Sequence, residues 1–396
     1  MRETGHRIFL AGGGTGGHLY PGLAIAEALR RRDPDAAIAF SCTRKPIDRT
    51  VLGPHPYPVT ELVAQPFRAK APWTWPPFLL GLVRAGNQCR RRLREFCPDV
   101  VVGLGGYGGY APVRVGQKYG IPTCVLNPDI VPGRANRRLF RRADRVFCQF
   151  QETVDAVGDR ACATGCPVRP SLLGATRDEG LAAFGLAPDR LTLLVTGASL
   201  GARTVNWAVV TMLRERGLPD GWQVLHLTGH GEYDAVAAAY ADLSVPVTVR
   251  AYADAMGLAY AVADLAVARA GASTVAELLA TGVPTLFMPY PFHRDRHQLR
   301  QAREVEAADA AVVVEDTPSN PSGTARRLAE AVWRLTTDTA RRDGLREAAR
   351  AVGRPAAAGA VAEEVLALAE AAVHRRQEAI AAAKKEGNSA LGARTS

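Results

Sequence analysis

The feature that most constrains the fold is a glycine loop near the start of the chain. Residues 8–11 form a short apolar run, the loop GGGTGGH follows at 12–18, and apolar positions then recur at helical spacing. This order predicts a strand, a tight turn and a helix N-terminus, where glycines admit a ligand closely and N–H groups favour an anion. The G-x-G-x-x-G pattern alone also fits any tight strand-to-helix turn. His18, directly after the last glycine, favours a site that acts on the far end of a nucleotide.

Composition indicates a soluble globular protein of two domains. The chain has 396 residues, of which 47% are apolar and 22% charged, and single cores rarely exceed about 250–300 residues. Its formal net charge is +10. The arginines cluster at Arg90, Arg91, Arg92, Arg94, Arg134, Arg137, Arg138, Arg141, Arg142 and Arg145. Such a surface suits anionic lipid or a phosphorylated substrate, and without an aromatic-rich module we expect no nucleic-acid partner.

Cysteine usage and hydropathy predict a protein of a reducing compartment without a membrane span. The seven cysteines form no C-x-x-C pair and show no zinc spacing, which favours a reduced cytosol. The apolar run at 8–11 is too short for a signal peptide. No run of about 18 apolar residues occurs, so we expect no transmembrane helix.

The first half of the chain predicts a parallel α/β sheet with helices on both faces. Residues 44–77 are rich in proline and read as irregular, and a second glycine loop, GLGGYGGY, occupies 103–110. Strands are predicted at 7–11, 36–41, 99–102, 122–126 and 145–149, and helices near 21–31, 78–96 and 111–119.

The second half repeats the plan, with a third glycine loop, TGASLGA, at 196–202. Strands are predicted at 191–195, 222–227, 247–251, 263–269 and 284–288, and helices at 203–216, 232–241, 274–280, 324–336 and 341–371. Gly282 is the predicted C-cap of the helix at 274–280. We expect a ligand in a cleft between the halves, at the carboxyl ends of the strands.

The expected domains are 1–165 and 166–345. A C-terminal helix over 346–372 would pack back on both, and residues 373–396 would form a disordered tail.

Two motifs point elsewhere and are disfavoured. Residues 197–201 match the G-x-S-x-G nucleophile elbow, which would need Asp264 and His297 as partners, but hydrolases of that fold have a single sheet. Asp33-Pro34-Asp35 resembles a metal-binding D-x-D motif, yet proline between the two aspartates is typical of a turn. We therefore expect no metal, and helix N-termini and arginines would neutralise bound phosphates.

Glu277 and the polar run at 293–298 are the further candidate site residues. Glu277 lies early in a predicted helix that follows a strand, where it either stabilises the helix dipole by about 0.3–1 kcal/mol or grips ribose hydroxyls. The run HRDRHQ is either a solvated helix cap or a contact for a sugar or phosphate.

Taken in order, these motifs resemble the MurG family. GGTGGH, GGYGG, GCPVR at 165–169, and GASTVAEL, GVPTLFMP and DRHQ carry the resemblance, which covers about residues 7–345. It implies a GT-B glycosyltransferase, with two doubly wound Rossmann-like domains facing across a cleft. The first domain, 1–165, would bind acceptor and membrane, and the second, 166–345, would bind the UDP-sugar. The implied reaction moves GlcNAc from UDP-GlcNAc to the muramyl 4-hydroxyl of lipid I, forming lipid II in peptidoglycan synthesis. Anomeric configuration would invert by direct displacement, without an obligatory metal or other cofactor.

The resemblance also assigns roles to residues. The implied donor-binding residues are Thr15, Gly16, Gly17, Asn127, Arg169, Ser199, Tyr252, Ala253, Ala272, Ser273, Thr274, Val275, Ala276, Glu277 and Gln298. The implied acceptor or pyrophosphate residues are Gly14, His18, Gly105, Gly106 and Tyr107. His18 is the implied catalytic residue, as a general base or as a group that positions the acceptor pyrophosphate.

The chain departs from the family on the acceptor side. The family usually has a His-Glu-Gln-Asn segment where this chain has Asn127-Pro128-Asp129-Ile130, one residue shorter. Ala198 and Leu200 replace the Gly and Gln that the family favours. A related UDP-sugar transferase with another lipid or metabolite acceptor, and a non-catalytic paralogue that binds nucleotide sugar, therefore stay open.

An apolar stretch beside arginines predicts peripheral binding at the cytoplasmic face of the cell membrane. Its members are Trp73, Trp75, Phe78, Leu79, Leu80, Leu82 and Val83, followed by Arg84 and the arginines at 90–94. An apolar patch ringed by cations suits anionic lipid, although a buried helix face has the same composition. The implied partners are UDP-GlcNAc, lipid I (undecaprenyl-pyrophosphoryl-MurNAc-peptide), the anionic membrane surface and cell-wall or division proteins.

Overall fold

A computed structural model of the protein describes residues 5–63, 75–198 and 201–392. The chain forms two compact units. The first contains the residues up to Asn127, residues 132–164 and the segment from Ala358 onward. The second contains Pro128–Val131 and Gly165–Ala357.

The first unit is built on a seven-stranded parallel sheet. Its strands are β1 (Arg7–Ala11), β2 (Ala37–Cys42), β3 (Val59–Glu61), β4 (Val100–Gly103), β5 (Thr123–Asn127), β6 (Arg145–Cys148) and β7 (Ala161–Cys162). Their order is β3-β2-β1-β4-β5-β6-β7. In β1, Ile8 and Leu10 belong to one core cluster, whereas Phe9 and Ala11 belong to another. Both faces of the sheet are therefore covered, as a parallel sheet requires.

In the described part of this unit, six helices connect these strands. They are α1 (Gly16–Arg32), α2 (Pro46–Leu52), α3 (Trp75–Phe96), α4 (Gly106–Lys118), α5 (Arg134–Phe140) and α6 (Gln151–Val157). Helix α1 begins five residues before the predicted start at 21, so Pro21 lies inside it. The prediction of an irregular 44–77 is wrong, because α2 and β3 both lie in that stretch. Proline at the first position of α2 is typical of a helix start rather than of a loop.

The second unit is built on a six-stranded parallel sheet. Its strands are β8 (Leu191–Thr196), β9 (Trp222–Leu227), β10 (Val247–Arg250), β11 (Leu265–Ala268), β12 (Thr285–Phe287) and β13 (Val312–Val313), in the order β10-β9-β8-β11-β12-β13. Its helices are α7 (Pro170–Leu173), α8 (Arg177–Phe184), α9 (Arg203–Glu215), α10 (Tyr233–Ala239), α11 (Met256–Val262), α12 (Ala272–Thr281), α13 (His297–Ala307), α14 (Pro321–Thr337) and α15 (Thr339–Val352). The predicted C-cap of α12 is confirmed, because Gly282 adopts a left-handed φ of 70°.

The C-terminal region corrects two predictions. The helix predicted over 341–371 is two helices, α15 and α16 (Ala357–Gly392), because Pro355 cannot continue the first. Residues from 373 to 392 are helical rather than disordered, which suits a segment rich in Ala, Glu, Lys and Arg. Helix α16 packs on the first unit, where Val361 and Val365 join the core and Arg376 pairs with Asp99 at 2.7 Å.

None of the helices in the described part of the chain is long and apolar enough to cross a membrane. Of the stretch at 73–83, Trp73 lies outside the described residues. Leu80 and Val83 on α3 are 52% and 60% exposed, respectively.

Candidate functional site

The first and second glycine loops meet in the first unit, because β1 and β4 are neighbouring parallel strands and the loops follow their carboxyl ends. Gly105 has φ of 100°, and a Cβ there would lie 2.7 Å from Cδ2 of His18. A Cβ on Gly14 would lie 3.2 Å from the ring of Tyr107. The residues predicted for the acceptor, including Gly106, are therefore together.

His18 is half-buried between these loops. Its Nδ1 lies 2.8 Å from the hydroxyl of Thr15, and its Nε2 has no hydrogen-bond partner among the described residues. Burial lowers the pKa of His18 to about 4, while Asp48 opposes that shift and Lys45 adds to it. The imidazole is therefore neutral near pH 7, and one of its nitrogens can accept a proton.

Residues 43–48, which lead from β2 into α2, bind both the N–H and the carbonyl oxygen of Gly14 in the first glycine loop. The buried carboxylate of Asp48 accepts hydrogen bonds from the N–H of Gly14 at 2.8 Å, the N–H of Thr43 at 2.8 Å and the hydroxyl of Thr43 at 2.6 Å. Lys45 donates from Nζ to the carbonyl oxygen of Gly14 at 2.9 Å. Sequence reasoning missed both residues, although Pro46 and Asp48 at positions one and three of a helix are a usable start signal.

The donor residues predicted in the first unit lie at two strand ends. Thr15 precedes α1, and Gly16 and Gly17 begin it. Asn127 ends β5 and is buried, and its side-chain oxygen accepts a hydrogen bond from Asn136 at 3.0 Å. Their contacts with a donor stay predictions.

In the second unit, α12 follows β11 directly and carries the predicted donor residues Ala272, Ser273, Thr274, Val275, Ala276 and Glu277. Its first-turn N–H groups suit an anion. The half-buried Glu277 accepts a hydrogen bond from the hydroxyl of Tyr260 at 2.8 Å. Burial raises the pKa of Glu277, and the Tyr260 bond and the charge of Arg169 counteract part of that shift. Sequence reasoning missed Tyr260, because its place in α11 is typical of a core residue.

Two further residues predicted for the donor, Tyr252 and Ala253, lie after β10. Ala253 is buried, and the ring of Tyr252 stacks on His230, with centroids 6.2 Å apart and an interplanar angle of 23°. Ser199, also predicted for the donor, lies outside the described residues.

Gln298 lies at the start of α13 beside a cluster of titratable side chains. The side-chain oxygen of Gln298 accepts a hydrogen bond from the N–H of Tyr290 at 3.0 Å. Its side-chain NH₂ group can therefore donate to a ligand. The rings of His293 and His297 stack at 4.2 Å, and Nδ1 of His297 lies 2.8 Å from Asp295.

The segment that departs from the family packs against the same helix. Residues 128–131 belong to the second unit, and the N–H of Ile130 donates to the side-chain oxygen of Gln301 at 3.1 Å. Burial raises the pKa of Asp129, while His297 and His293 oppose the shift.

Arg269 forms hydrogen bonds that connect the loops around the start of α12. It is 7% exposed and donates to the carbonyl oxygens of Met288 and Pro289 and to the carboxylate of Asp316, at 2.8–3.1 Å. Thr204 at the start of α9 donates to the same carboxylate. These bonds join the loops after β8, β11, β12 and β13. A buried arginine held this way fixes the turn before α12, and the sequence pattern did not reveal it.

An arginine-rich cavity is lined by residues of α4 and by residues of α5 and the turn that follows it. It has a volume of about 470 Å³ and is lined by Tyr110, Arg114, Arg137, Arg138, Arg141 and Arg142. Among the described residues, none of these arginines has an acidic ion-pair partner.

The hydrolase alternative does not fit this arrangement. Asp264 precedes β11, where it accepts a hydrogen bond from the N–H of Thr192 at 2.8 Å. Gly197 and Ala198, which begin the predicted elbow, follow the carboxyl end of β8. Because β8 pairs in parallel with β11, they lie at the opposite end of the sheet from Asp264. Within the described ranges, no group of three or more His, Cys, Asp or Glu side chains is arranged to hold a metal.

Comparisons with known proteins now decide the family. Residues 8–148 match the N-terminal domain of glycosyltransferase family 28, and residues 192–360 match its C-terminal domain. The UDP-N-acetylglucosamine--N-acetylmuramyl-(pentapeptide) pyrophosphoryl-undecaprenol N-acetylglucosamine transferase of Thermodesulfovibrio yellowstonii is 33% identical over 94% of this chain and 100% of its own length. The chain belongs to the MurG family.

A second relative supports the family, and two solved structures share the fold. A MurG-family enzyme of the same name from a Nocardioides species is 42% identical over 78% of this chain and 85% of its own. The crystal structure of Acinetobacter baumannii MurG covers 91% of this chain and 99% of its own, with a TM-score of 0.71 and 24% identity. A UDP-GlcNAc 2-epimerase from Neisseria meningitidis, bound to UDP-GlcNAc, has a TM-score of 0.65 with 14% identity, and covers 91% of this chain and 99% of its own. The predicted fold class, two Rossmann-like domains of GT-B type, is confirmed.

Proposed function

We propose that this protein transfers GlcNAc from UDP-GlcNAc to the muramyl 4-hydroxyl of lipid I and so forms lipid II. The observation that carries the proposal is the match to MurG-family enzymes of that name over nearly the whole chain. The second unit supports it with a helix N-terminus, a carboxylate and an amide at the carboxyl edge of one sheet.

The donor is held mainly by the second unit in this proposal. The first turn of α12 receives the diphosphate, because its N–H groups point out of the helix. Glu277 accepts hydrogen bonds from the ribose hydroxyls, and Tyr260 fixes the carboxylate for that contact. Arg169 and Gln298 bind the nucleotide and the GlcNAc hydroxyls, and Tyr252 and Ala253 lie at uracil.

The acceptor is activated in the first unit. The neutral imidazole of His18, held through Nδ1 by Thr15, accepts the proton of the attacking 4-hydroxyl through Nε2. The sugar oxygen displaces UDP from the anomeric carbon in one step, so the configuration inverts. A base with a pKa of about 4 is weak, and the developing positive charge on the imidazole is stabilised by Asp48.

We place the protein at the cytoplasmic face of the membrane, where its lipid-linked acceptor lies. Leu80 and Val83 expose apolar surface on α3, and the unpaired arginines around the 470 Å³ cavity supply positive charge. Cations near an anionic membrane contribute about 1 kcal/mol each. Cell-wall or division proteins are further expected partners at that surface.

The experiment is UDP release from UDP-GlcNAc by the full chain, with and without a soluble lipid I analogue. We expect release that depends on the analogue. Tight donor binding without release would favour the alternative that the departing segment at 127–130 raises, namely a related transferase with a different acceptor, or a non-catalytic paralogue.

Glu277→Ala tests the donor site separately. It should weaken UDP-GlcNAc binding measured by calorimetry, whereas donor binding equal to that of the unmodified protein would show that the ribose assignment is wrong. Glu179→Ala, which removes an exposed carboxylate of the same unit, is the matched control.

A further inference from the structure

The ammonium group of Lys45 lies against both glycine loops of the first unit. Its Nζ is 2.9 Å from the carbonyl oxygen of Gly14 and 5.7 Å from the ring centroid of Tyr107. The side chain is exposed. Lysine carries three N–H donors, and the bond to Gly14 uses one of them, so two donors are left for a ligand.

The fold does not neutralise this charge. In the described part of the chain, no carboxylate lies within ion-pair distance of Lys45. Asp48 is the nearby acidic residue, and its two oxygens accept from Gly14 and Thr43 instead. His18 is neutral near pH 7, so the positive side chain in contact with the first loop is that of Lys45.

We propose that Lys45 binds the diphosphate of the acceptor and selects for a diphosphate-linked sugar. The proposal rests on the proposed function, in which Gly14, His18 and Tyr107 face the acceptor and the donor diphosphate lies at α12 in the other unit. An ammonium is a compact point charge that suits phosphate oxygens. It stands beside the loop whose N–H groups begin α1, so cation and helix N-terminus act on the same anion.

An anion bound at Lys45 would also change the pKa of His18. The charge of Lys45 is one of the causes that lower the pKa of His18. An anion bound to Lys45 offsets that charge. The pKa of His18 therefore rises when the diphosphate binds, which makes the imidazole a better proton acceptor once the acceptor is in place.

Kinetics with two acceptors test the selection. One acceptor carries the muramyl sugar on a lipid diphosphate, and the other carries it on an uncharged alkyl group. In Lys45→Met we expect the KM for the diphosphate acceptor to rise about tenfold or more, since hydrogen bonds to charged groups are strong. The KM for the neutral acceptor and for UDP-GlcNAc should not change, and Lys45→Arg should retain most of the affinity.

The matched control is Arg44→Met. It removes the same charge from the exposed neighbouring residue, which forms no hydrogen bond with the glycine loop among the described residues. An equal rise in KM for both acceptors in Lys45→Met would mean that Lys45 only shapes the loop, and it would overturn the proposal. If Arg44→Met raised the KM for the diphosphate acceptor as much as Lys45→Met does, the effect would depend only on net charge. That result would also overturn the proposal.

A binding measurement separates this proposal from the proposed function. Inorganic pyrophosphate is titrated into the full chain with saturating UDP, and the His18 ring is followed by NMR. We expect pyrophosphate to shift the His18 resonances and raise the pKa of that ring, with a Kd weakened about tenfold or more in Lys45→Met but not in Arg44→Met. This result would support the site even if no transfer to lipid I occurred. Absence of pyrophosphate binding, or binding indifferent to Lys45, would overturn the site even if transfer occurred.

Discussion

Removing the hydroxyl of Tyr260 should weaken donor binding by about tenfold. Tyr260 is 3% exposed, and its hydroxyl donates to Glu277 at 2.8 Å. Hydrogen bonds to charged groups contribute about 1.5–3 kcal/mol, and 1.4 kcal/mol is a factor of ten. In Tyr260→Phe the carboxylate loses the bond that orients it. The KM for UDP-GlcNAc should therefore rise, with kcat nearly unchanged.

The same variant should move the pH dependence of donor binding. Burial raises the pKa of Glu277 and the Tyr260 bond holds it down, so the pKa rises further in Tyr260→Phe. In the proposed donor site, the ionised carboxylate of Glu277 is the form that accepts hydrogen bonds from both ribose hydroxyls. Donor affinity therefore falls as pH drops through the pKa of Glu277, and in the variant that fall should begin at a higher pH.

A matched variant and a substrate analogue make the test decisive. Tyr240→Phe removes another buried hydroxyl of the same unit, one that bonds to Nδ1 of His226 at 2.7 Å. It should lower stability without changing the donor KM. The preference for UDP-GlcNAc over its 2′-deoxyribose analogue should shrink in Tyr260→Phe alone. An unchanged preference, or the same change in Tyr240→Phe, would refute the reasoning.

Three further predictions concern the first unit and the chemistry. The pKa of His18 is about 4 in the protein without acceptor. The pH profile of kcat/KM for the acceptor, which reports that state, should therefore show no His18 ionisation between about pH 6 and 8. A limb near pH 6.5 that His18→Gln abolishes would contradict this. Asp48→Ala leaves the buried N–H groups of Gly14 and Thr43 without their acceptor. The free energy of unfolding, measured by urea denaturation, should therefore fall by about 2–4 kcal/mol. A fall no larger than that of the exposed control Asp159→Ala would contradict this prediction. A chelator should leave kcat unchanged, and a strict metal requirement would argue against diphosphate binding by helix N-termini and side chains.

The sheets were predictable because buried parallel strands are short apolar runs with glycine loops at their ends. Residues 7–11 and 222–227 were predicted as strands with the bounds that the structure has. The segment at 44–77 failed because α2 has only seven residues and its prolines resemble turn residues. The start of α1 was predicted too late, at residue 21, because proline is most common at the first helical position, whereas Pro21 lies inside this helix.

The sequence did not reveal the residues that position other site residues through hydrogen bonds. Glu277 and His18 stand out because a charged or titratable side chain follows a strand end. Tyr260 lies 17 positions from its partner Glu277, Asp48 lies 34 positions from Gly14, and Arg269 lies 47 positions from Asp316. Only folding brings these partners within hydrogen-bond distance. Their roles depend on hydrogen bonds across the structure, and no local spacing encodes such bonds.

The most direct test of the proposed function is the product formed from UDP-GlcNAc and lipid I in vesicles that contain anionic lipid. We predict one added GlcNAc per acceptor, β-linked to the 4-hydroxyl of the muramyl sugar, with UDP released in equal amount. Release of UDP without this product, or GlcNAc retained in the α configuration, would contradict it.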